Sequence, residues 1–116
     1  MNTLVLVPWT PTDRTNWLAS RIKHRNYADD VLTRIDALRG RFDVAQYGQV
    51  EYQGEAYPLF AVRSRNWNDA LPTVLVTGGV HGYETSGVQG ALDFLEQKAE
   101  SYAGTVNLLV APCISP

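Results

Sequence analysis

His81 and Glu84 lie three residues apart in "VLVTGGVHGYETSG", the stretch from Val74 to Gly87. Neutral imidazole and carboxylate oxygen are ligands that zinc accepts, and a catalytic zinc site generally combines three protein ligands with an open position for water. Because an apolar run precedes these residues and a helical pattern follows, both side chains can turn towards one point beyond a strand end. The spacing therefore predicts two ligands of a zinc site, with the third supplied from elsewhere.

Two other interpretations of this turn stay open. A bare H-x-x-E often arises by chance, so both side chains could be solvated, with Glu84 near the positive end of the next helix. The glycine-rich "GGVHGYE" could instead hold an anion at that helix N-terminus, in a noncatalytic α/β binding or assembly module. The glycines, Gly78, Gly79 and Gly82, allow unusual torsions and a close approach of substrate to the backbone.

The chain offers few candidates for a third ligand. His24 lies in the basic stretch "RIKHRN", where we expect an exposed surface role. Cys113 follows an apolar run, and we expect a buried thiol. Asp69 and Glu55 fall in predicted loops and are expected to be solvated. The sequence therefore predicts that His81 and Glu84 are the only two metal ligands among its residues.

The elements around the turn follow from the apolar pattern. "TVLVT" suits a strand buried on both faces, and "TVNLLVA" predicts a second strand. Between them a helix is predicted, with Ser86 and Gln89 at capping-box spacing. Its apolar face comprises Val88, Ala91, Leu92, Leu95 and Ala99. This order predicts a parallel pair with a right-handed crossover, in which the last strand is an edge or lacks a neighbour.

The upstream pattern predicts a helix and a hairpin. Apolar residues recur at helical spacing from Tyr27 to the Arg39-Gly40 end, with Asn26 as the N-cap. Two antiparallel strands should follow, joined at Gln53-Gly54-Glu55, with a bulge at Gly48. The fold class expected is therefore α/β, a mixed sheet with an N-terminal antiparallel hairpin and helices packed on the sheet.

Residues 1–26 are expected to form an N-terminal arm, and residues 27–116 the main domain. "TLVLVPWTPT" predicts a short strand or extended segment stopped by Pro8 and Pro11, followed by a weak helix around Trp17, Leu18 and Ile22. The three tryptophans are scattered over separate segments, which favours ordinary packing over a binding surface.

Composition narrows the classes of partner. The 116 residues include 45% apolar residues and carry a net charge of -2 without a basic run, so nucleic acid is not expected as a partner. A single cysteine, no secretory signal and no apolar stretch near 20 residues predict a cytoplasmic protein without a membrane partner. The unfinished sheet leaves a homo-oligomer open.

The stretch "TVLVTGGVHGYETSG" resembles the first zinc-binding segment of the zinc metallocarboxypeptidases and their succinylglutamate desuccinylase and aspartoacylase relatives. The resemblance implies that His81 and Glu84 bind zinc, in a hydrolase that cleaves an amide bond of a peptide or an N-acyl amino acid substrate. It also implies a carboxypeptidase-like fold, of which residues 27–116 would be the N-terminal portion.

In that family, the third zinc ligand is a downstream histidine, and the substrate-binding arginines and the general-base glutamate are downstream as well. None of these positions has a counterpart in this sequence. The resemblance therefore implies no catalytic residue within this chain, which we expect to be inactive alone.

Overall fold

A computed structural model describes residues 3–116 of the chain. Helix α1 spans Pro11–Ala19, and a π-helical turn, Ala28–Leu32, continues into helix α2, Thr33–Ala37. Strands β1, Asp43–Tyr52, and β2, Glu55–Arg63, precede strand β3, Thr73–Thr77. Helix α3, Thr85–Gln97, is followed by a 3-10 turn, Ala99–Tyr102, and by strand β4, Asn107–Ala111.

The four strands form one mixed sheet in the order β1-β2-β4-β3. β1 pairs antiparallel with β2, β2 pairs antiparallel with β4, and β3 pairs parallel with β4. The α/β class with its hairpin and parallel crossover is thus confirmed. The prediction for the last strand was wrong, because β4 enters between β2 and β3 and leaves β3 at the edge.

The hairpin turns at Gln53 and Gly54, which have φ of 50° and 78°. Two successive positive φ values are typical of the tight turns that match the twist of a two-stranded ribbon. The register shifts between Gln46 and Gly48, which confirms the predicted bulge. The bulge lies on β1, at the opposite edge of the sheet from β3.

One apolar core lies between the sheet and the two helices α2 and α3. The predicted apolar face of α3 is buried in full, as are Val31, Ile35 and Leu38 of the preceding helical segment. The Asn26 side-chain oxygen accepts a hydrogen bond from the Asp29 N–H at 3.0 Å, which is the predicted capping contact. The two amphipathic helices therefore pack by the faces that their periodicity indicates.

Arg34 ties these two helices together at the surface of the core. Its guanidinium donates to Glu96 at 2.8 Å and to Asp93 at 2.7 Å, and it also contacts Gln89. The hydrogen bonds to Glu96 raise the pKa of Arg34, so its charge is retained throughout the accessible pH range. Charge-assisted bonds of this kind fix α2 against the outer face of α3.

Strand β3 is much more exposed than its composition suggests. Val74 is 41% exposed and Leu75 is 63% exposed, whereas the run "TVLVT" predicted burial on both faces. The prediction was wrong because a strand needs neighbours on both sides and layers on both faces to be buried, and β3 is an edge strand. Its neighbour β4, in contrast, contains the buried Leu108 and Val110.

The N-terminal arm follows its prediction only in part, since the helix predicted around Trp17 and Leu18 is present as α1. Pro11 begins α1 instead of stopping a strand, because Thr10 before it and Asp13 after it form a capping box and proline is tolerated at the first helical position. Ile22 lies beyond the end of α1, and no residue of that helix is buried. The capping pattern T-P-T-D was the sequence signal for this start.

No helix within residues 3–116 combines the length and apolar character that a membrane span requires.

The burial of Leu92 leads to a prediction about stability. Leu92→Ala should lower the free energy of unfolding by about 3 kcal/mol, because the fully buried side chain would leave a cavity between α3 and the sheet. Urea denaturation monitored by far-ultraviolet circular dichroism would measure the change. Leu75→Ala, which truncates the same side chain at an exposed position, is the matched control and should cost less than about 1 kcal/mol. Equal losses in the two variants would contradict the assigned core.

Candidate metal centre

The turn that carries His81 and Glu84 begins where β3 leaves the sheet. Beyond Thr77, the Gly78 N–H donates to the Ala111 carbonyl at 2.9 Å. The Ile114 N–H then donates to the Gly78 carbonyl at 3.0 Å, and the Ser115 N–H donates to the Gly79 carbonyl at 2.9 Å. Two chain segments therefore leave the sheet side by side, held by backbone hydrogen bonds.

Glycine is required in this turn because other segments of the protein pack directly against its backbone. Gly79 has a φ of 66°, and a Cβ there would lie 2.6 Å from Val88 Cγ2 and 3.2 Å from Cys113 Sγ. A Cβ at Gly78 would lie 2.6 Å from the Gly87 carbonyl oxygen. The predicted close approach to the glycine backbone is present. The sequence suggested a substrate as the approaching group, whereas in the structure the group belongs to other segments of the protein.

The structure places His81 and Glu84 on the same turn, at the carboxyl end of β3. Both are exposed and line one shallow concavity together with the glycines at 78, 79 and 87. The Glu84 N–H donates to the His81 carbonyl at 3.1 Å, which closes the turn between them. The backbone of this turn is thus held in place before α3 begins.

Glu84 itself is the N-cap residue of α3, and its side chain makes no capping hydrogen bond. The capping box predicted for Ser86 and Gln89 is therefore wrong, because α3 begins at Thr85 and Ser86 lies inside it. Among the ion pairs of residues 3–116, none involves His81 or Glu84. Both side chains keep their lone pairs available to a ligand.

The donor set fits two of the three protein ligands that a catalytic zinc site uses. Within residues 3–116 there is no group of three or more His, Cys, Asp and Glu side chains placed to hold a metal. His24 lies in an exposed segment, as expected. Cys113 is buried, and its burial raises the pKa of the thiol, which disfavours the thiolate that binds metals.

Tyr83 lies between the two predicted ligands, where the sequence left open whether its ring lines a cleft or packs on the end of the sheet. Its side chain is 84% exposed. Its ring centroid lies 6.3 Å from that of His81, in an edge-on arrangement. The Tyr83 ring therefore lies beside the imidazole of His81 and is accessible to a ligand that approaches the turn.

A larger groove of about 470 Å³ adjoins the turn through Gly82 and Thr85. Apolar and aromatic side chains line much of it, including Val88, Tyr27 and Tyr57. The Tyr27 hydroxyl donates to the Pro58 carbonyl at 2.6 Å, and burial raises the pKa of Tyr27 to about 12. The Tyr27 phenol therefore stays protonated and anchors the hairpin to the start of the first core helix.

Two solved structures share this architecture. One, from Shewanella amazonensis SB2B, is 28% identical with a TM-score of 0.61, over 78% of this chain and 32% of that chain. The other, from Shewanella baltica OS155, is 26% identical with a TM-score of 0.64, over 76% of this chain and 32% of that chain. Both carry the name "putative metallopeptidase", so this chain has a metallopeptidase-like fold and spans about a third of those proteins.

Comparison by sequence gives a different name. No family profile matches the chain. A malate dehydrogenase of Vibrio cholerae serotype O1 is 34% identical over 65 residues, which are 56% of this chain and 21% of that protein. The chain thus spans about a fifth of that relative. The turn after β3 has glycines at 78, 79, 82 and 87, a spacing that does not fit the dinucleotide fingerprint G-x-G-x-x-G.

The tight packing at Gly79 generates a prediction. Gly79→Ala should lower the free energy of unfolding by about 2 to 4 kcal/mol, because it adds a steric collision to the cost of a positive φ. Gly104→Ala is the matched control, because Gly104 has a φ of 81° with no atom within 4 Å of the added Cβ.

The control should lose only about 1 to 2 kcal/mol, the cost of the left-handed backbone alone. Chemical denaturation of the two variants in parallel measures the difference. A Gly79→Ala variant as stable as Gly104→Ala would show that the turn can relax without cost, and would remove the packing argument for the position of His81.

Proposed function

We propose that residues 27–116 are the N-terminal portion of the catalytic domain of a zinc-dependent, metallocarboxypeptidase-like hydrolase. The proposal rests on the positions of His81 and Glu84, which lie on one turn, fixed by backbone hydrogen bonds, at the carboxyl end of β3. The metallopeptidase-like fold supports it at a coarser level. The substrate class proposed is a peptide or an N-acyl amino acid, whose amide bond is cleaved.

His81 and Glu84 would hold the metal in this proposal. When bound, zinc would act as a Lewis acid that polarises the scissile carbonyl and activates water. His81 contributes a neutral imidazole and Glu84 a carboxylate that offsets part of the metal charge. The backbone bonds of Gly78 and Gly79 hold the start of the turn, so the orientation of the two ligands depends on main-chain contacts more than on side-chain partners.

The groove beside the turn supports the proposed substrate class. Its apolar lining could accept an uncharged portion of a peptide or acyl chain, and Tyr83 is exposed next to His81. The charged residues Lys23, Arg25, Asp30 and Glu51 also line this groove. A mixed apolar and charged lining fits a zwitterionic or peptide-like ligand better than a nucleic acid.

The proposed domain is incomplete within these residues. A third ligand, a general base and groups for the substrate carboxylate would come from further polypeptide. This portion alone should bind zinc weakly and have little or no hydrolase activity, since two ligands lose much of the affinity of a complete site. We also propose a cytoplasmic location, on the basis of cysteine usage.

The second candidate is a noncatalytic module that holds an anion at the start of α3. The helix N-terminus favours this in principle. However, Glu84 is the N-cap residue, so a negatively charged side chain belongs to the position next to the one that an anion would take. Electrostatics at the turn therefore favour a cation over an anion.

Zinc titration tests the proposal. The chain should bind zinc weakly, and both His81→Ala and Glu84→Gln should weaken that binding by at least about tenfold, a loss of roughly 1.4 kcal/mol. His24→Ala is the matched control, because it removes the other histidine and should leave the affinity unchanged. Isothermal titration calorimetry, or competition with a chromophoric chelator, measures the affinities.

Two results would contradict the metal assignment. One is tight stoichiometric binding that His81→Ala leaves unaffected. The other is binding of inorganic phosphate at this turn that is stronger than binding of zinc, because that would favour the anion-holding module. A longer polypeptide that includes the downstream ligand should bind zinc far more tightly, and the same two substitutions should abolish that gain.

A further inference from the structure

Gly82 lies between the two proposed metal ligands, and another segment of the chain packs against it. A Cβ at this position would lie 3.1 Å from the Ser115 carbonyl oxygen and 3.8 Å from the Ser115 Cβ. The φ of Gly82 lies outside the left-handed region, so a larger residue could adopt the same torsion. The need for glycine at position 82 therefore comes from the close contact with Ser115 and not from the backbone conformation.

The Ser115 carbonyl belongs to a segment that is held firmly. The Ser115 N–H donates to the Gly79 carbonyl at 2.9 Å, and the preceding Ile114 N–H donates to the Gly78 carbonyl at 3.0 Å. Cys113, just before them, is buried in the core. These contacts lie within the described residues and do not depend on further polypeptide. A methyl group added to the turn would therefore push the exposed turn outwards, while the segment after β4 stays in place.

The side chains of the two ligands have few other restraints. The His81 ring meets the Tyr83 ring edge-on at a centroid distance of 6.3 Å, and neither ligand has an ion-pair partner within residues 3–116. Glu84 has a φ of -99° and a ψ of 97°, and its side chain makes no capping hydrogen bond. The directions of the imidazole and the carboxylate are consequently set by the main chain between them, which includes Gly82.

We propose that Gly82 is a positioning residue for the metal, because its contact with Ser115 sets the place of the His81 imidazole relative to the Glu84 carboxylate. In the proposed function, on which this inference rests, these two side chains bind one zinc ion. Metal–ligand distances vary by only about 0.2 Å. A Cβ contact of 3.1 Å has to lengthen by a few tenths of an ångström before a methyl group fits, so the displacement is as large as that tolerance.

A different role for Gly82 would be to leave room for a substrate, as the sequence suggested. In that case a methyl group would obstruct the substrate but leave the metal ligands where they are. The two roles therefore differ in the zinc affinity of the chain without substrate. A positioning role predicts that the substitution lowers this affinity, and a role in substrate access predicts that it leaves the affinity unchanged.

Zinc titration of the isotope-labelled chain, observed at the histidine side chains by nuclear magnetic resonance, tests the positioning role. His24, the other histidine, is the internal reference. Zinc should shift the His81 imidazole signals and leave those of His24 in place. In Gly82→Ala the dissociation constant measured at His81 should rise about tenfold, an effect typical of changing a residue that orients a metal ligand.

Gly90→Ala is the matched control. Gly90 lies in α3, the helix whose N-cap residue is Glu84, and an added Cβ would meet no neighbouring group within 4 Å. This variant gains the same methyl group in open space, so its zinc affinity should equal that of the wild type. Gly82→Ala should keep a urea midpoint close to that of the wild type, because residue 82 is exposed and its torsion suits alanine.

Hydrogen exchange of the metal-free chain shows which side of the contact moves. The Ile114 and Ser115 N–H groups should exchange with solvent as slowly in Gly82→Ala as in the wild type, because their bonds to the Gly78 and Gly79 carbonyls are retained. Faster exchange of these two groups would mean that the substitution detaches the segment after β4. That would be a general structural effect and would contradict the positioning role.

Three further results would overturn the inference while leaving the proposed function intact. They are wild-type zinc affinity in Gly82→Ala, an equal loss of affinity in Gly90→Ala, and a loss that comes with a fall in urea midpoint as large as that of Gly79→Ala. A wild-type chain in which zinc shifts no His81 signal would contradict the proposed function itself, and the positioning role of Gly82 with it.

Discussion

The position of the metal turn depends on the absence of side chains at Gly78 and Gly79. Here the residues after β3 pack directly against both the first turn of α3 and the segment after β4, and there is no room for a side chain between them. The hydrogen bonds of Gly78 and Gly79 to residues 111–115 are formed only because no Cβ separates these segments. The path of the chain to His81, and the direction in which α3 departs, both follow from this approach.

The same approach links the site to the core. Val88, which lies next to the position of a Gly79 Cβ, belongs to the buried face of α3, and Cys113 completes that contact from the segment after β4. Arg34 holds the opposite side of α3 to the preceding core helix. The turn is therefore anchored on its inner side by packing, while its outer side, with His81, Tyr83 and Glu84, faces solvent.

Local patterns in the sequence predict most of the elements. The faces of both core helices follow from a period of 3.6, and the hairpin follows from alternation interrupted by Gln53-Gly54. The exposure of β3 could not be predicted in this way. An apolar strand has the same sequence whether its neighbour is present or absent, and strand order is decided by contacts between segments far apart in the chain.

The same distinction, between local patterns and contacts of distant segments, applies to the candidate site. His81 and Glu84 are close because they are three residues apart, so their spacing in the sequence already indicated a shared turn. The role of the glycines was only half predicted, since the groups that approach them come both from Gly87 and Val88, nine positions downstream, and from Pro112 and Cys113, 34 positions downstream. A third ligand would require a contact over an even longer separation, which no local pattern contains.

The order of the strands has a consequence for biosynthesis. β4 is translated after both β2 and β3, yet it is the strand that joins them. Until residues 107–111 leave the ribosome, the hairpin has no partner for the inner edge of β2, and β3 has no neighbour at all. The nascent chain therefore contains a hairpin and a separate strand that are not yet joined. The turn with His81 acquires its backbone partners only when β4 and the residues after it have been made.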